Sequence, residues 1–124
     1  MRLIDTSIWI EWLTGSTLGQ QFHGDFQSPA TLIVPSLVQY ELYKWSLRER
    51  GEADAERLLA FTMTGLVTPL DTTIAIRAAE ESRQHGLHAT DAIIYATALV
   101  TNAEFHTSDA HFTSVPGVRY HAKQ

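Results

Sequence analysis

Residues 91–101, DAIIYATALVT, are apolar on nearly every face of a helix. A surface helix carries one apolar stripe and one polar face, whereas a helix apolar all round is a central, buried one. The rest of the chain must cover it. The 124 residues predict one domain, 1–124, with a radius of gyration of roughly 14 Å and about two thirds of the unfolded surface buried.

The cover is built from alternating elements. Leu3 and Ile4 read as a buried strand that stops at Asp5, with Thr6 and Ser7 as turn residues before a short helix from Ile8 to Leu13. Trp9 and Trp12 form an aromatic stripe for core packing one turn apart on that helix. A weak helix is expected over Leu18–Phe26. Leu32, Ile33 and Val34, closed by Pro35, have the pattern of a strand buried on both faces. Ser36 is expected to cap the next helix, which runs to about Arg50 with Val38, Leu42 and Trp45 as its buried stripe. A helix over Ala53–Thr64, a strand at Leu66 and Val67, a helix from Thr72 or Thr73 to Gly86, and the central helix follow. Strands at Glu104–Thr107 and Val118–Tyr120 close the chain, with a turn of helix at His111 and Phe112 between them. Strands alternating with helices, with no hairpin signal, predict an α/β fold whose parallel sheet is covered on both faces.

Composition narrows the function. With no cysteine there is neither a disulfide nor a thiolate metal site. The N-terminus lacks a secretory pattern and no run of ~18 apolar residues occurs, so the reading is a soluble, cytoplasmic protein without a membrane span. A net charge of −5 argues against gripping nucleic acid by bulk electrostatics. It does not exclude a nuclease, because an enzyme that gathers carboxylates around cations looks acidic when counted without them. The seven scattered glycines match neither nucleotide-binding fingerprint.

Four acids fall where a parallel sheet collects its chemistry, outside the carboxyl ends of the strands. Asp5 and Asp109 lie just past strands, Asp91 opens the central helix, and Glu41 lies early in the helix after a strand. Each has an ordinary alternative: helix capping for Asp5 and Asp91, and an ion pair with Lys44 or Arg48 for Glu41. If the four converge, capping does not offset their repulsion, since two carboxylates ~4 Å apart repel by roughly 4 kcal/mol at an effective dielectric of 20. A hard divalent cation such as Mg²⁺ or Mn²⁺ does, and it acidifies a water for hydrolysis of a phosphodiester. His106 and His111 flank Asp109 but show no zinc-ligand spacing, so surface or supporting roles are expected of them.

The stretches LIDTS with Asp5, VPSLVQYEL with Glu41, ATDAIIYATA with Asp91, and HTSDAHF with Thr107, Asp109 and Phe112 resemble the motifs of PIN-domain ribonucleases. The similarity is closest to the VapC toxins of bacterial and archaeal toxin–antitoxin pairs. It spans nearly the whole chain in the right order. The resemblance implies a PIN-like three-layer α/β/α sandwich with a central parallel sheet of about five strands. It also implies Mg²⁺ or Mn²⁺ held by Asp5, Asp91, Glu41 and Asp109 as the catalytic acids, and endonucleolytic cleavage of RNA. Thr6, Ser7 and Thr107 would orient ligands or waters, and a homodimer and a cognate antitoxin would be its partners. Lys44 and Arg48, three and seven residues beyond Glu41, are expected on its side of the helix, where they would either bind RNA phosphates or form a solvated face whose ion pairs are worth little. His106 departs from the family, which usually has an apolar residue there. Two alternatives remain: a haloacid-dehalogenase-like phosphatase with Asp5 as nucleophile, although position 7 is Ser rather than the second Asp of D-x-D, and a non-catalytic PIN-fold RNA-binding module.

Overall fold

The structure of the protein, a computed structural model, describes residues 1–123. Strands β1 (Arg2–Ile4), β2 (Leu32–Pro35), β3 (Leu66–Thr68), β4 (Glu104–Thr107) and β5 (Arg119–Tyr120) form one sheet in the order β3-β2-β1-β4-β5. Every neighbouring pair is parallel. The helices are α1 (Thr6–Leu13), α2 (Thr17–Gln20), α3 (His23–Gln27), α4 (Ser36–Glu49), α5 (Glu52–Thr62), α6 (Thr72–His85) and α7 (Ala89–Thr101), with 3₁₀ turns at Pro29–Thr31 and Ala110–Phe112. This is the expected PIN-like α/β architecture. No helix among the described residues is long and apolar enough to cross a membrane.

The strand order places the site. The chain leaves β1 toward β2 on one side and later returns to β4 on the other, so the carboxyl ends of β1 and β4 flank the point where the winding reverses. Crevices form at such switch points. Ile4 is in register with His106, and the Asp5 N–H donates to the His106 carbonyl at 2.9 Å, which brings Asp5 level with Thr107. Apolar side chains fix this level: Leu3, Ile4, Leu32, Val34 and Phe105 are buried in the sheet. Trp9 anchors α1 through Phe26, with ring centroids 4.5 Å apart, and Trp12 stacks on the same Phe26 at 4.2 Å. At the other end of the crevice Phe112 packs on Phe105 with centroids 5.1 Å apart, pinning the turn that follows Asp109.

Several sequence expectations need correction. The single helix over Leu18–Phe26 is two short helices, interrupted at Phe22, whose backbone (φ −101°, ψ 5°) turns its ring inward. Gly19 lets the first of them close on α1, because a Cβ there would lie within 2.3 Å of the Glu11 carbonyl oxygen. Ser36 does not cap α4: Pro35 holds the N-cap backbone, so the serine falls inside the first turn and makes no cap bond. Trp45 is half-buried, and the stripe on α4 is completed by Ser46 instead. Asp91 is the third residue of α7, not the first, since His88 holds the extended N-cap conformation (φ −66°, ψ 159°). Nor is α7 covered all round: it packs on α4, α6, β2 and β4, but Val100 is 40% exposed near its end.

Candidate metal centre

Asp5 occupies the backbone N-cap position of α1, yet its side chain makes no cap bond. Instead Oδ2 accepts from Thr107 Oγ1 at 2.7 Å and from Ser7 Oγ at 3.0 Å. These hydroxyls are themselves held from behind. The Asp109 N–H donates to Thr107 Oγ1 at 3.0 Å, and the Ser108 N–H donates to Ser7 Oγ at 3.1 Å. Asp5 is 5% exposed, and burial pushes its carboxyl up to about 6 against the lowering effect of the two hydroxyls, with the charges of Glu41 and Asp91 adding to the rise.

Glu41 comes to the same place from α4. Thr6 Oγ1 donates to its Oε1 at 2.6 Å, a contact across 35 residues of sequence. Its carboxyl is raised first by burial, then by Asp91 and Asp109, against the lowering effects of Thr6 and Lys44. Asp91 is raised by burial and then by Asp109, while His111 and His88 lower it. The charges of Glu41 and Asp91 thus reach Asp5, and those of Asp91 and Asp109 reach Glu41. The grouping differs from the expected quartet in one respect. Among the described residues the three with ligand atoms all within 4.8 Å of one another are Asp91, Asp109 and His111, not the four acids.

His111 is what sequence reasoning undervalued. Its Nδ1 lies 3.2 Å from Asp109 Oδ1 and 3.3 Å from Asp91 Oδ2. The available signal was its position in the turn held by Asp109, whose Oδ1 accepts the His111 N–H at 2.9 Å. His106 is fully partnered: Nε2 lies 2.6 Å from Glu104 Oε1 and Nδ1 lies 2.9 Å from His121 Nε2, so the polar ring is satisfied inside β4. Lys44 is close enough to lower Glu41 while remaining exposed, but Arg48 turns to its neighbour Glu49 at 2.9 Å. Neither makes the ion pair with Glu41 that was the ordinary alternative; no such pair is found among the described residues.

The donor set fits a divalent cation. Carboxylate oxygens of Asp91 and Asp109 converge with the imidazole nitrogen of His111, and among the described residues no lysine or arginine makes an ion pair with either carboxylate. Helix capping does not account for Asp5 or Asp91, since neither side chain caps.

The family described as PIN domain matches residues 2–118, and the chain belongs to it. That membership sets aside the haloacid-dehalogenase alternative. No curated protein matches the sequence. Among solved structures, the chain is similar to a toxin–antitoxin complex from Klebsiella pneumoniae, at 23% identity over 95% of each chain and a TM-score of 0.80. It is similar to Mycobacterium tuberculosis VapC20, a sarcin–ricin loop cleaving toxin, at 18% identity over 95% of this chain and 97% of that one, with a TM-score of 0.76. FitAcB from Neisseria gonorrhoeae matches at 17% identity over 98% and 97% of the two chains, with a TM-score of 0.72. At these identities the likeness establishes a shared fold.

Proposed function

We propose that this protein is a metal-dependent endoribonuclease and the toxin of a VapBC-type toxin–antitoxin pair. The observation that supports the reading is the cluster of Asp91, Asp109 and His111, with Asp5 and Glu41 each raised partly by the charge of neighbouring acids, in a chain of the PIN-domain family. Asp91 and Asp109, with Asp5 and Glu41 beside them, would hold Mg²⁺ or Mn²⁺. When bound, such a cation neutralises charge on a phosphoryl oxygen and lowers the pKa of a water. The protein's part is to hold the acids ready. Thr107 and Ser7 fix the Asp5 carboxylate, and Thr6 fixes Glu41. An acid of the set would act as the general base for the attacking water. Exposed Lys44, within the field of Glu41, supplies a cation for an RNA phosphate.

The partners follow from the surface and from the relatives. The similar structures include toxin–antitoxin complexes, one of them a DNA-bound VapBC from Salmonella typhimurium. A groove of about 530 Å³ between α4 and α5, lined by Tyr40, Tyr43, Leu47 and Leu59, offers an apolar face for an antitoxin segment. A homodimer is part of the same proposal. As an endoribonuclease toxin it would act in the cytoplasm, where its RNA is.

Cleavage of a labelled RNA by purified protein tests the reading. Activity with Mg²⁺ or Mn²⁺ that vanishes in EDTA is expected. Full activity in chelator contradicts the metal mechanism, and tight RNA binding with no cleavage under any metal identifies a non-catalytic module. Expression without a partner should arrest growth, with Asp5→Asn relieving it. Equal arrest by the variant would remove the catalytic account of toxicity.

A further inference from the structure

We infer that His111 is itself a ligand of the metal centre and biases it toward first-row transition ions over Mg²⁺. The inference rests on the metal-dependent reading above. His111 Nδ1 stands 3.2 Å from Asp109 Oδ1 and 3.3 Å from Asp91 Oδ2. Two ligand atoms that share one ion at roughly 2.1 Å stand about 3.0 Å apart at a right angle and about 3.4 Å apart in a tetrahedron. Both contacts fall inside that range. The side chain is held there by its backbone. The His111 N–H is bound to Asp109 Oδ1, and the adjacent Phe112 is buried at 1% exposure, so the turn carrying the imidazole is fixed to the core. The ring lies beside Asp91, Asp109 and His88, whose ring centroid is 5.4 Å away at a steep angle, and among the described residues no lysine or arginine pairs with either carboxylate.

Donor chemistry turns this position into selectivity. Oxygen ligands suit Mg²⁺, but an imidazole nitrogen contributes little to Mg²⁺ and progressively more along the series from Mn²⁺ to Co²⁺ and beyond. A centre of oxygens alone holds Mg²⁺ and transition ions with the modest preference of charge and size. Replacing one oxygen by His111 Nδ1 widens the gap. The alternative is that the imidazole merely hydrogen-bonds ligand carboxylates, which raises affinity for every ion alike.

The test compares Mg²⁺ and Co²⁺ binding to metal-free wild type, His111→Asn and His88→Asn by calorimetry, together with the Co²⁺ visible spectrum. The absorption lost in Asp91→Asn marks the ion at this centre. His111 is exposed, so its variant should fold, and a melting curve checks that. The inference expects His111→Asn to lose on the order of 10-fold or more in Co²⁺ affinity and less than about 3-fold for Mg²⁺. The centre's Co²⁺ spectrum should change, and His88→Asn should leave both unchanged. Equal losses for the two ions, or an unaltered spectrum, overturn the ligand role while leaving the nuclease reading intact. If wild type binds neither ion, the metal-dependent reading falls and this inference with it.

Discussion

Replacing Asp5 by Asn should stabilise the metal-free protein at neutral pH and leave it unaffected in acid. The Asp5 carboxyl is raised from 3.8 to about 6, chiefly by burial. Below 3.8 the group is protonated in both folded and unfolded chains and carries no penalty. Above about 6 it is ionised in both, and the folded state bears the full cost of a buried charge. At about 1.4 kcal/mol per pH unit, that cost is about 3 kcal/mol. Asn keeps the size of the side chain and an oxygen able to accept from Thr107 and Ser7. The stabilisation should therefore grow from near zero at pH 4 to about 3 kcal/mol at pH 7.5, a rise in Tm of about 10 °C for a chain of this size. Thermal melts in chelator across that range measure it. The reasoning is refuted if the variant gains nothing at pH 7.5, or gains as much at pH 4. Adding Mg²⁺ or Mn²⁺ should then narrow or reverse the gap, because ligand binding stabilises the wild type by mass action and the variant much less.

Three further outcomes are expected. Asp91→Asn and Asp91→Ala should both raise the Tm in chelator, by less than Asp5→Asn because Asp91 is only half-buried. A capping role would instead make the Ala variant melt lower by the roughly 0.5–2 kcal/mol of a lost cap. Thr107→Val removes the donor to Asp5 and leaves the Asp109 N–H without its partner. It should cost about 1–3 kcal/mol of stability and at least 10-fold in divalent-ion affinity, read by melts and calorimetry. Lys44→Ala should flatten the salt dependence of RNA binding by about 0.7 log units per log unit of salt, and Arg48→Ala by less, since Arg48 is committed to Glu49. Equal slopes in Lys44→Ala and wild type remove Lys44 from the RNA contacts.

The first three strands were legible because each holds a short apolar run cut off by a polar residue or proline. Leu32–Val34 before Pro35 carry their burial in their composition. The end of the sheet was legible because parallel strands send their carboxyl ends to one side, which puts Asp5 after β1 and Asp109 after β4 at the same edge. What sequence did not give was backbone phase at helix starts. Ser36 and Asp91 look like caps by residue type, but Pro35 and His88 hold the cap conformation, which moves both polar side chains inside the first turn. For Asp91 that offset is consequential, since it turns the carboxylate toward His111 rather than toward the amides of its own helix. His106 looked out of place in a buried strand because its partners are Glu104, two residues back on the same face, and His121, beyond the end of β5. His111 escaped for a similar reason: its contacts to Asp91 cross 20 residues and exist only once the turn after β4 is formed.

RNA cleavage by the four amide variants, Asp5→Asn, Glu41→Gln, Asp91→Asn and Asp109→Asn, measured side by side with wild type in Mn²⁺, tests the central claim most directly. If the acids form one cation-holding centre, each variant should lose at least about 100-fold in cleavage rate, in keeping with the large transition-state share of charge stabilisation. All four should remain folded, and Asp5→Asn should melt higher than wild type in chelator. Wild-type cleavage by either Asp5→Asn or Asp91→Asn would contradict the account.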